Sequence, residues 1–176
     1  MTLPGDLNKR QKLEEIIRVN HAGEYGAKRI YAGQLAILKD KGDQELLQHM
    51  QAQEQVHLDY FTKAMQTERI RPSLLLPLWH ILGYAIGAGT AILGKNSAMI
   101  ATEAVEEVID QHYQEQLKEE SIDQELATNI EKFRLEELEH HDIAKAQMSD
   151  LNLGHKLLYH AIKFGCKVSI GLAKRF

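Results

Sequence analysis

The feature that most constrains the fold of this chain is an internal repeat, in which a lone glutamate is followed by a Glu-x-x-His motif. The offset from the lone glutamate to its motif is 30 in the first half (54 − 24) and 31 in the second (137 − 106). Between the halves, the three corresponding positions have offsets of 82, 83 and 83. The two sets are Glu24, Glu54 and His57, and then Glu106, Glu137 and His140. The chain is therefore predicted to contain two equivalent helical halves.

Each motif has the spacing of one helical face. Residues i and i+3 of an α-helix are neighbours on its surface, so each Glu-x-x-His presents a carboxylate and an imidazole in one direction. The lone glutamate falls about as far before the predicted interhelical turn as its motif lies after it, so antiparallel packing brings them level. Four glutamates and two histidines in a four-helix core are the ligands of ferritin-like di-iron and di-manganese proteins. Oxygen and nitrogen ligands without thiolates favour iron or manganese over zinc or an iron-sulfur cluster.

The register of the second half has to be chosen, because acidic residues are dense there. One Glu-x-x-His alone usually forms a solvated pair, but two copies at nearly equal spacing are improbable by coincidence. The offset from the first half selects Glu106, Glu137 and His140. The competing side chains are Glu103, Glu107 and Asp110 around the lone glutamate, and Glu136, Glu139 and His141 around the motif.

Histidines and tyrosines flank the proposed ligands. His21 and His112 are candidates for donors that orient the carboxylates, although an exposed or capping role fits His21 equally well. Tyr25, Tyr31 and Tyr113 are interpreted as core or edge aromatics rather than redox residues.

The pattern of the whole chain predicts an all-α fold, a ferritin-like four-helix bundle with an additional apolar segment and a C-terminal amphipathic helix. The chain has 3 prolines and no convincing alternating β-branched run. Capping patterns set the predicted boundaries. The predicted helices run from about 7 to 40, from Asp43 as N-cap to about 70, from about 95 to 120, from the capping box Ser121-x-x-Gln124 to about 150, and onward after Asn152-Leu153-Gly154.

The segment 74–93 is apolar enough and long enough to be a transmembrane candidate. It contains a proline, a histidine and three glycines, which favour a buried, interfacial or broken helix over a simple span. The sequence leaves open whether this segment spans the membrane or lies on it.

The last segment, about 155–174, is basic and amphipathic. The net charge is −4, and residues 155–176 contain five basic residues and no acid, so the remainder carries −4 − 5 = −9. Such a helix suits the surface of anionic lipid, and the alternative is a helix that packs on the bundle with a solvated basic face. Its basic side comprises Lys156, His160, Lys163, Lys167 and Lys174, and its apolar side comprises Leu158, Ala161, Ile162, Val168 and Leu172.

The composition excludes several classes of protein. A length of 176 residues indicates a single domain over 1–176, and an ordinary charged fraction argues against disorder. The lone Cys166 excludes an intramolecular disulfide and favours a reducing compartment. The opening residues MTLPGDLNKRQ resemble neither a secretory signal nor a transit peptide, and no feature supports nucleic-acid binding.

Four strings carry a resemblance to a known family. RVNHAGEYGAKRIYAGQ at 18–34, EQVHLDYF at 54–61, AVEEVIDQHY at 104–113 and RLEELEHHDIAKAQ at 134–147 are similar to demethoxyubiquinone hydroxylases. The resemblance implies a di-iron monooxygenase that hydroxylates the ring of a demethoxy polyprenyl benzoquinol in ubiquinone biosynthesis. It implies the ligands that the repeat selects, two iron ions per chain, and O2 with an external reductant, either NADH or the quinol.

The resemblance also implies where the protein works. An isoprenoid tail stays in lipid, so we expect a peripheral protein on the cytoplasmic side of the bacterial inner membrane, with a polyprenyl quinol and the lipid surface as partners. A homo-oligomer or a quinone-synthesis complex is a further possibility. The alternatives that share the ligand set are a ferritin-like iron-handling protein, a manganese catalase-like peroxide-scavenging enzyme and an inactive lipid-binding accessory protein.

Overall fold

The computed structural model describes residues 7–176, which form helices without strands. The prediction of an all-α fold is confirmed. Most of the opening stretch that bears on a targeting segment lies outside the described residues. The helices are α1 (Lys9–Ile37), α2 (Lys41–Glu68), α3 (Leu76–Ile92), α4 (Lys95–Gln116), α5 (Gln124–Ala146) and α6 (Leu153–Ala173).

Four of these helices form a ferritin-like bundle. The helix α1 packs along α2, α4 packs along α5, and contacts of α1 with α4 and of α2 with α5 join the two hairpins. Two apolar clusters fill the core at different heights. The first contains Ile17, Phe61, Ile130 and Phe133, and the second contains Tyr31, Leu47, Met50, Met99 and Ala144. On α2 and α5 the predicted ligand positions fall between these two clusters, so apolar side chains border the middle of the bundle toward both ends.

The turn between α1 and α2 is capped one turn earlier than the sequence predicts. The Asp40 carboxylate accepts hydrogen bonds from the backbone N–H groups of Gly42 and Asp43, at 2.9 and 3.3 Å. Asp43, the predicted N-cap, lies inside the first turn and pairs with Lys95 Nζ at 2.6 Å. The prediction is wrong because both aspartates suit a helix start, and the earlier one reaches the unpaired N–H groups first.

The boundaries in the second half also differ from the prediction. The helix α4 ends at Gln116, and the N-cap of α5 is Asp123, whose carboxylate accepts from the Leu126 N–H at 2.8 Å. The predicted capping box that begins at Ser121 is therefore wrong. The final helix is confirmed and starts at Leu153, because Asn152 caps it through the His155 N–H at 3.0 Å.

The apolar segment forms one continuous helix, α3, which lies against α1 through glycines. An added Cβ at Gly87 would overlap the carbonyl oxygen of Ile30, and one at Gly83 would lie 2.8 Å from the carbonyl oxygen of Gly26. The backbones approach this closely because these glycines have no side chain. Of the alternatives for this segment, a broken helix is wrong. Among residues 7–176, no helix combines the length and the apolar character needed to cross a membrane.

The helices α3 and α6 both lie on the side of the bundle formed by α1 and α4, and residues at their ends approach each other. The backbone N–H of Leu74 donates to the carbonyl of Phe176 at 2.7 Å. Trp79 of α3 and Ala173 of α6 share a buried cluster with Val19 of α1. We call the outer surface of α3 and α6 the apolar flank, because large apolar side chains are exposed there. They are Leu74, Leu78, Ile81, Leu82 and Ile92 from α3 and its ends, and Leu153, Leu157, Phe164 and Val168 from α6.

The division of α6 into a basic side and an apolar side is less regular than the sequence predicts. Lys163 points toward the bundle, where its Nζ lies 2.7 Å from Glu107 Oε1. Leu157 and Phe164 instead point outward, with 64% and 71% of their surfaces exposed. The acid on α4 reverses the expected placement of Lys163, because a carboxylate across a helix interface compensates a partly buried ammonium group.

Candidate metal centre

The structure brings all six predicted ligand side chains together in the middle of the bundle. Each is at most 1% exposed. One glutamate comes from α1, one from α4, and a Glu-x-x-His pair comes from each of α2 and α5. The six residues are Glu24, Glu54, His57, Glu106, Glu137 and His140.

The donor atoms fall into two overlapping groups, each of which could surround one cation. In each group the candidate atoms lie within 4.8 Å of one another. Glu54 and Glu137 belong to both groups, whereas each of the other residues belongs to one. The first group adds Glu24 and His57, and the second adds Glu106 and His140. This arrangement provides two adjacent cation positions with two shared carboxylates.

Unpaired oxygens test whether a metal suits these residues. Glu24 Oε2, both carboxylate oxygens of Glu54 and Glu106 Oε2 are buried without a hydrogen-bond partner within residues 7–176. A buried carboxylate without a partner is costly, and a cation is the partner that this geometry accommodates. The residues present therefore fit a pair of metal ions.

The electrostatics of the centre point the same way. Burial, together with the negative charge of Glu137, raises the pKa of Glu54 and of Glu106 well above the usual value. Burial opposes the charged form of Glu137 too, but hydrogen bonds from His140 and His57 lower its pKa to about 2. Burial would lower the pKa of His57, yet the hydrogen bond to Glu137 and the nearby Glu24 carboxylate raise it to about 11. Without a cation the cluster therefore retains protons, and cation binding must release them.

Two buried tyrosines hold Glu24 and Glu106, the unshared carboxylates that each belong to only one cation position. Each tyrosine reaches the carboxylate on the other helix. Tyr31 of α1 donates to Glu106 of α4 at 2.8 Å, and Tyr113 of α4 donates to Glu24 of α1. Burial raises the pKa of both phenols well above 10.0, so both remain neutral donors. Their interpretation as core aromatics is incomplete. The signal was present in the sequence, because 113 − 31 gives the same offset of 82 as the glutamates they contact.

The same offset relates a second pair of contacts between α1 and α4. The Gln34 amide donates to Thr102 Oγ1 at 3.3 Å, and the Gln116 amide donates to Asn20 Oδ1 at 2.7 Å. The two glutamines differ by an offset of 82 (116 − 34), and so do their two partners (102 − 20). The repeat thus extends from the ligands to the polar side chains that fasten the two helices together.

The histidines predicted to orient carboxylates do not do so in the described part of the chain. His112 Nε2 lies 2.8 Å from the Gln116 amide nitrogen, and burial lowers the pKa of His112 to about 4, so it accepts this hydrogen bond. His21 Nδ1 is buried and has no hydrogen-bond partner among residues 7–176. Tyr31 and Tyr113 occupy the role assigned to these histidines.

The acidic residues that compete with Glu106 face other partners. Asp110 pairs with Arg134 at 2.9 Å, Glu107 pairs with Lys163, and Glu103 lies 3.9 Å from His141. None of these acids lies in either group of candidate metal ligands within residues 7–176. The register selected by the repeat is the one that converges on the core.

A four-helix bundle with this carboxylate and histidine arrangement defines the ferritin-like class of metal-carboxylate proteins. Comparison with known families narrows the class further. The family model described as "Ubiquinone biosynthesis protein COQ7" matches residues 11–173, so the chain belongs to this family. The resemblance seen in the sequence motifs is confirmed.

Relatives from distant organisms are similar over nearly the whole chain. A human protein named NADPH-dependent 3-demethoxyubiquinone 3-hydroxylase, mitochondrial, is 48% identical, and the match covers 99% of this chain and 82% of the human one. A Rhodospirillum rubrum protein named 3-demethoxyubiquinol 3-hydroxylase is 46% identical over 98% of this chain and 82% of its own. A Saccharomyces cerevisiae protein named 5-demethoxyubiquinone hydroxylase, mitochondrial, is 38% identical over 93% of this chain and 78% of its own.

Proposed function

We propose that this protein is a 3-demethoxyubiquinol hydroxylase, an O2-dependent monooxygenase of ubiquinone biosynthesis. The names of its relatives supply the reaction, and membership of the family supports it. The observation that carries the proposal is the pair of adjacent cation positions in the core, which share Glu54 and Glu137. The structural feature that a two-iron monooxygenase needs is thus present.

The charges of the cluster suit two ferrous ions. Four carboxylates balance the four positive charges of two divalent ions, and the two imidazoles complete the donor set as neutral ligands. Two ferrous ions, when bound, supply electrons that reduce O2 beside the substrate, so that one oxygen atom enters the ring and the other leaves as water. Two electrons and two protons from outside complete each turnover, and we assign their source to NADH or the quinol.

The residues of this chain would hold the ions, and they control the surroundings of the centre. Glu54 and Glu137 keep the two positions adjacent, because each carboxylate belongs to both. Tyr31 and Tyr113 fix the orientation of the unshared carboxylates by hydrogen bonds. The apolar layers on both sides of the ligands exclude bulk water, which favours reaction with the substrate over side reactions.

The apolar flank suits contact with a substrate that carries a lipid tail. Exposed side chains such as Ile81 and Phe164, at 66% and 71% exposure, suit contact with acyl chains. Lys156 and Lys167 are exposed on the same helix, α6, and suit anionic headgroups. We propose that the protein lies on the cytoplasmic side of the inner membrane of a bacterium and takes a polyprenyl quinol through this flank.

The test is anaerobic reconstitution with ferrous iron, followed by turnover of a demethoxyubiquinol analogue with O2 and a reductant. We expect about two irons per chain and one atom of 18O from labelled O2 in the product. Glu106→Gln keeps the shape of the side chain and removes its charge, so it should abolish most turnover. Glu139→Gln, an exposed change on α5, is the control and should behave like the wild type.

Two results would contradict the proposal. Normal hydroxylation by Glu106→Gln would remove Glu106 from the centre. Oxygen or peroxide consumption by the wild type without hydroxylated product would instead indicate an iron-handling or peroxide-scavenging protein with the same ligand set.

A further inference from the structure

The internal repeat includes the residues that contact the outer nitrogen, Nε2, of each proposed histidine ligand. These partner residues differ between the two halves. Glu136 Oε2 of α5 lies 2.7 Å from His57 Nε2 of α2. Gln53 Oε1 of α2 lies 2.9 Å from His140 Nε2 of α5. Each partner immediately precedes the shared glutamate of its own helix, and 136 − 53 gives the offset of 83 found for the motifs. Equivalent positions thus carry a carboxylate on one side and an amide on the other.

Both imidazoles face the centre with the same nitrogen. His57 Nδ1 lies 3.1 Å from Glu137 and 3.6 Å from Glu24. His140 Nδ1 lies 3.1 Å from Glu137 and 3.4 Å from Glu54. Because Nδ1 is the nitrogen available to a cation in each case, the proton of a neutral imidazole resides on Nε2 and is donated outward. The acceptors are then the Glu136 carboxylate and the Gln53 carbonyl oxygen.

A carboxylate acceptor strengthens a histidine ligand more than an amide does. A hydrogen bond to a charged acceptor is roughly twice as strong as one to a neutral acceptor. Withdrawal of the Nε2 proton toward a carboxylate raises the basicity of the coordinating nitrogen. The Glu136 side chain is 25% exposed, and Lys132 Nζ lies 3.8 Å from its other oxygen, so its charge is only partly neutralised.

Several other polar contacts around the centre recur in both halves. The unshared carboxylates each have a tyrosine donor, and α1 and α4 exchange equivalent glutamine contacts. An apolar difference between the surroundings of the two histidines accompanies the polar one. The Phe133 ring packs 4.2 Å from the His57 ring, centroid to centroid, whereas the residue at the equivalent position of the repeat is Met50, and the Tyr31 ring lies 6.1 Å from the His140 ring. Neither Phe133 nor Met50 changes the charge felt by a histidine.

We infer that the two cation positions have unequal affinities, and that Glu136 makes the position formed by Glu24 and His57 fill first. Gln53 and Glu136 are positioning residues, which act on the metal through His140 and His57. This inference rests on the metal centre of the proposed function and adds an order of loading to it. The ions also become chemically distinguishable, with the more electron-rich ligand set around the first.

The test is an anaerobic titration of the metal-free protein with ferrous iron, in which calorimetry measures the heat of binding. The wild type should bind two ions in two steps whose affinities differ by about 10-fold to 100-fold, the range that an outer hydrogen-bond partner controls. Glu136→Gln should weaken the first step by about 10-fold and merge the steps, since both histidines then have amide partners. Gln53→Glu should strengthen the second step. Both changes are close in shape and lie on partly exposed side chains.

The double exchange Gln53→Glu with Glu136→Gln identifies the positions. The double exchange preserves the total charge and should reverse the order in which the two cation positions fill. Adding His57→Ala should therefore remove the tight binding step in the wild-type background. In the exchanged protein it should remove the weak binding step instead. Glu139→Gln removes a charge from the same helix on its exposed side, and it should leave both steps unchanged. Circular dichroism of each variant confirms that the bundle is intact.

Two binding steps of equal affinity in the wild type would overturn the inference. An unchanged loading order in the exchanged protein would also overturn it, because the apolar surroundings of the histidines would then determine the order. A wild type that binds no iron would overturn both this inference and the proposed metal centre. Ordered binding in a protein that does not hydroxylate the quinol would leave the inference standing and refute the proposed function alone.

Discussion

The interior of the bundle and the apolar flank depart in opposite ways from the usual distribution of side chains. The interior buries four carboxylates, and four of their oxygens have no hydrogen-bond partner in the described chain. The flank exposes large apolar side chains such as Leu74, 79% exposed, and Phe164, 71% exposed. Buried acids and exposed apolar patches are each unfavourable in water unless something else contacts them.

Under the proposed function, each region is completed by a different partner. A pair of cations would compensate the interior, and a lipid surface with an apolar substrate would compensate the flank. The two regions are also connected, because α1 carries Glu24 and Tyr31 on one side and contacts the glycines of α3 on the other. Experiments that remove one partner at a time separate their contributions.

The largest expected effect is the loss of iron binding when a carboxylate shared by both cation positions is replaced. Glu137→Ala removes a carboxylate that belongs to both cation positions, so it should weaken iron binding by more than the roughly 100-fold associated with outer partners. Iron analysis after desalting, together with far-UV circular dichroism, measures the loss and the retained helix content. Glu139→Ala is the matched control. Full iron occupancy in Glu137→Ala would show that this carboxylate is not a ligand.

The second effect concerns the pH dependence of the metal-free interior. His57 has a folded pKa of about 11 against 6.5 unfolded, so the folded state holds more protons and stability is lost as pH rises through this window. The raised pKa values of Glu54 and Glu106 also make the folded state less stable as pH rises above 4.5. The pKa of Glu137 is lowered to about 2, so this residue changes stability only at acidic pH.

We therefore expect the free energy of unfolding of the metal-free protein to fall by roughly a few kcal/mol between pH 6.5 and alkaline pH. The iron-loaded protein should not show this decline, because bound ions require deprotonated ligands. Urea titrations at several pH values under anaerobic conditions provide the measurement. Stability of the metal-free protein that rises with pH would contradict the electrostatic account of the cluster.

The sequence predicted which carboxylates and histidines meet in the core, because their spacing is a local property. A glutamate and a histidine at positions i and i+3 share a helical face whatever surrounds them, and the offsets of 82 and 83 removed the competing acids. The tyrosine donors were missed because each was judged alone rather than against the same offset. Gln53 and Glu136 were missed as histidine partners, since their contacts cross from α2 to α5.

Properties that depend on contacts between distant residues were predicted less well. Asp40 and Asp43 are chemically identical caps, so the start of α2 depends on which carboxylate reaches the free N–H groups. The inward position of Lys163 depends on Glu107, which lies on a different helix, far away in the sequence. Helical periodicity describes the spacing of faces but does not specify which face packs against the bundle.

The third prediction tests how firmly the flank is attached to the interior. Gly87→Ala places a Cβ against the Ile30 backbone and should destabilise the protein by about 1–3 kcal/mol, as overpacking does. Gly89→Ala in the same helix meets no atom within 4 Å and should be neutral or stabilising by up to about 1 kcal/mol. Urea unfolding compares the two. Equal stabilities would mean that α3 is not held closely against α1.

The smallest effect is the electrostatic part of membrane binding, which distinguishes the flank from the opposite side of the bundle. Lys156 and Lys167 are exposed on α6, whereas Lys63 on α2 and Lys145 on α5 are exposed away from α3 and α6. Replacing Lys156 and Lys167 with Gln should weaken binding to vesicles that contain phosphatidylserine by about 1 kcal/mol per lysine. Added salt should reduce the difference from the wild type.

Replacement of Lys63 and Lys145 with Gln changes the net charge equally and should have little effect, because only charges near the surface attract the headgroups. Co-sedimentation with anionic and with neutral vesicles measures both pairs, and binding to neutral vesicles isolates the apolar contribution. An equal loss for the two pairs would attribute the attraction to net charge rather than to α6. In that case the apolar side chains of the flank alone would determine which side of the bundle faces lipid.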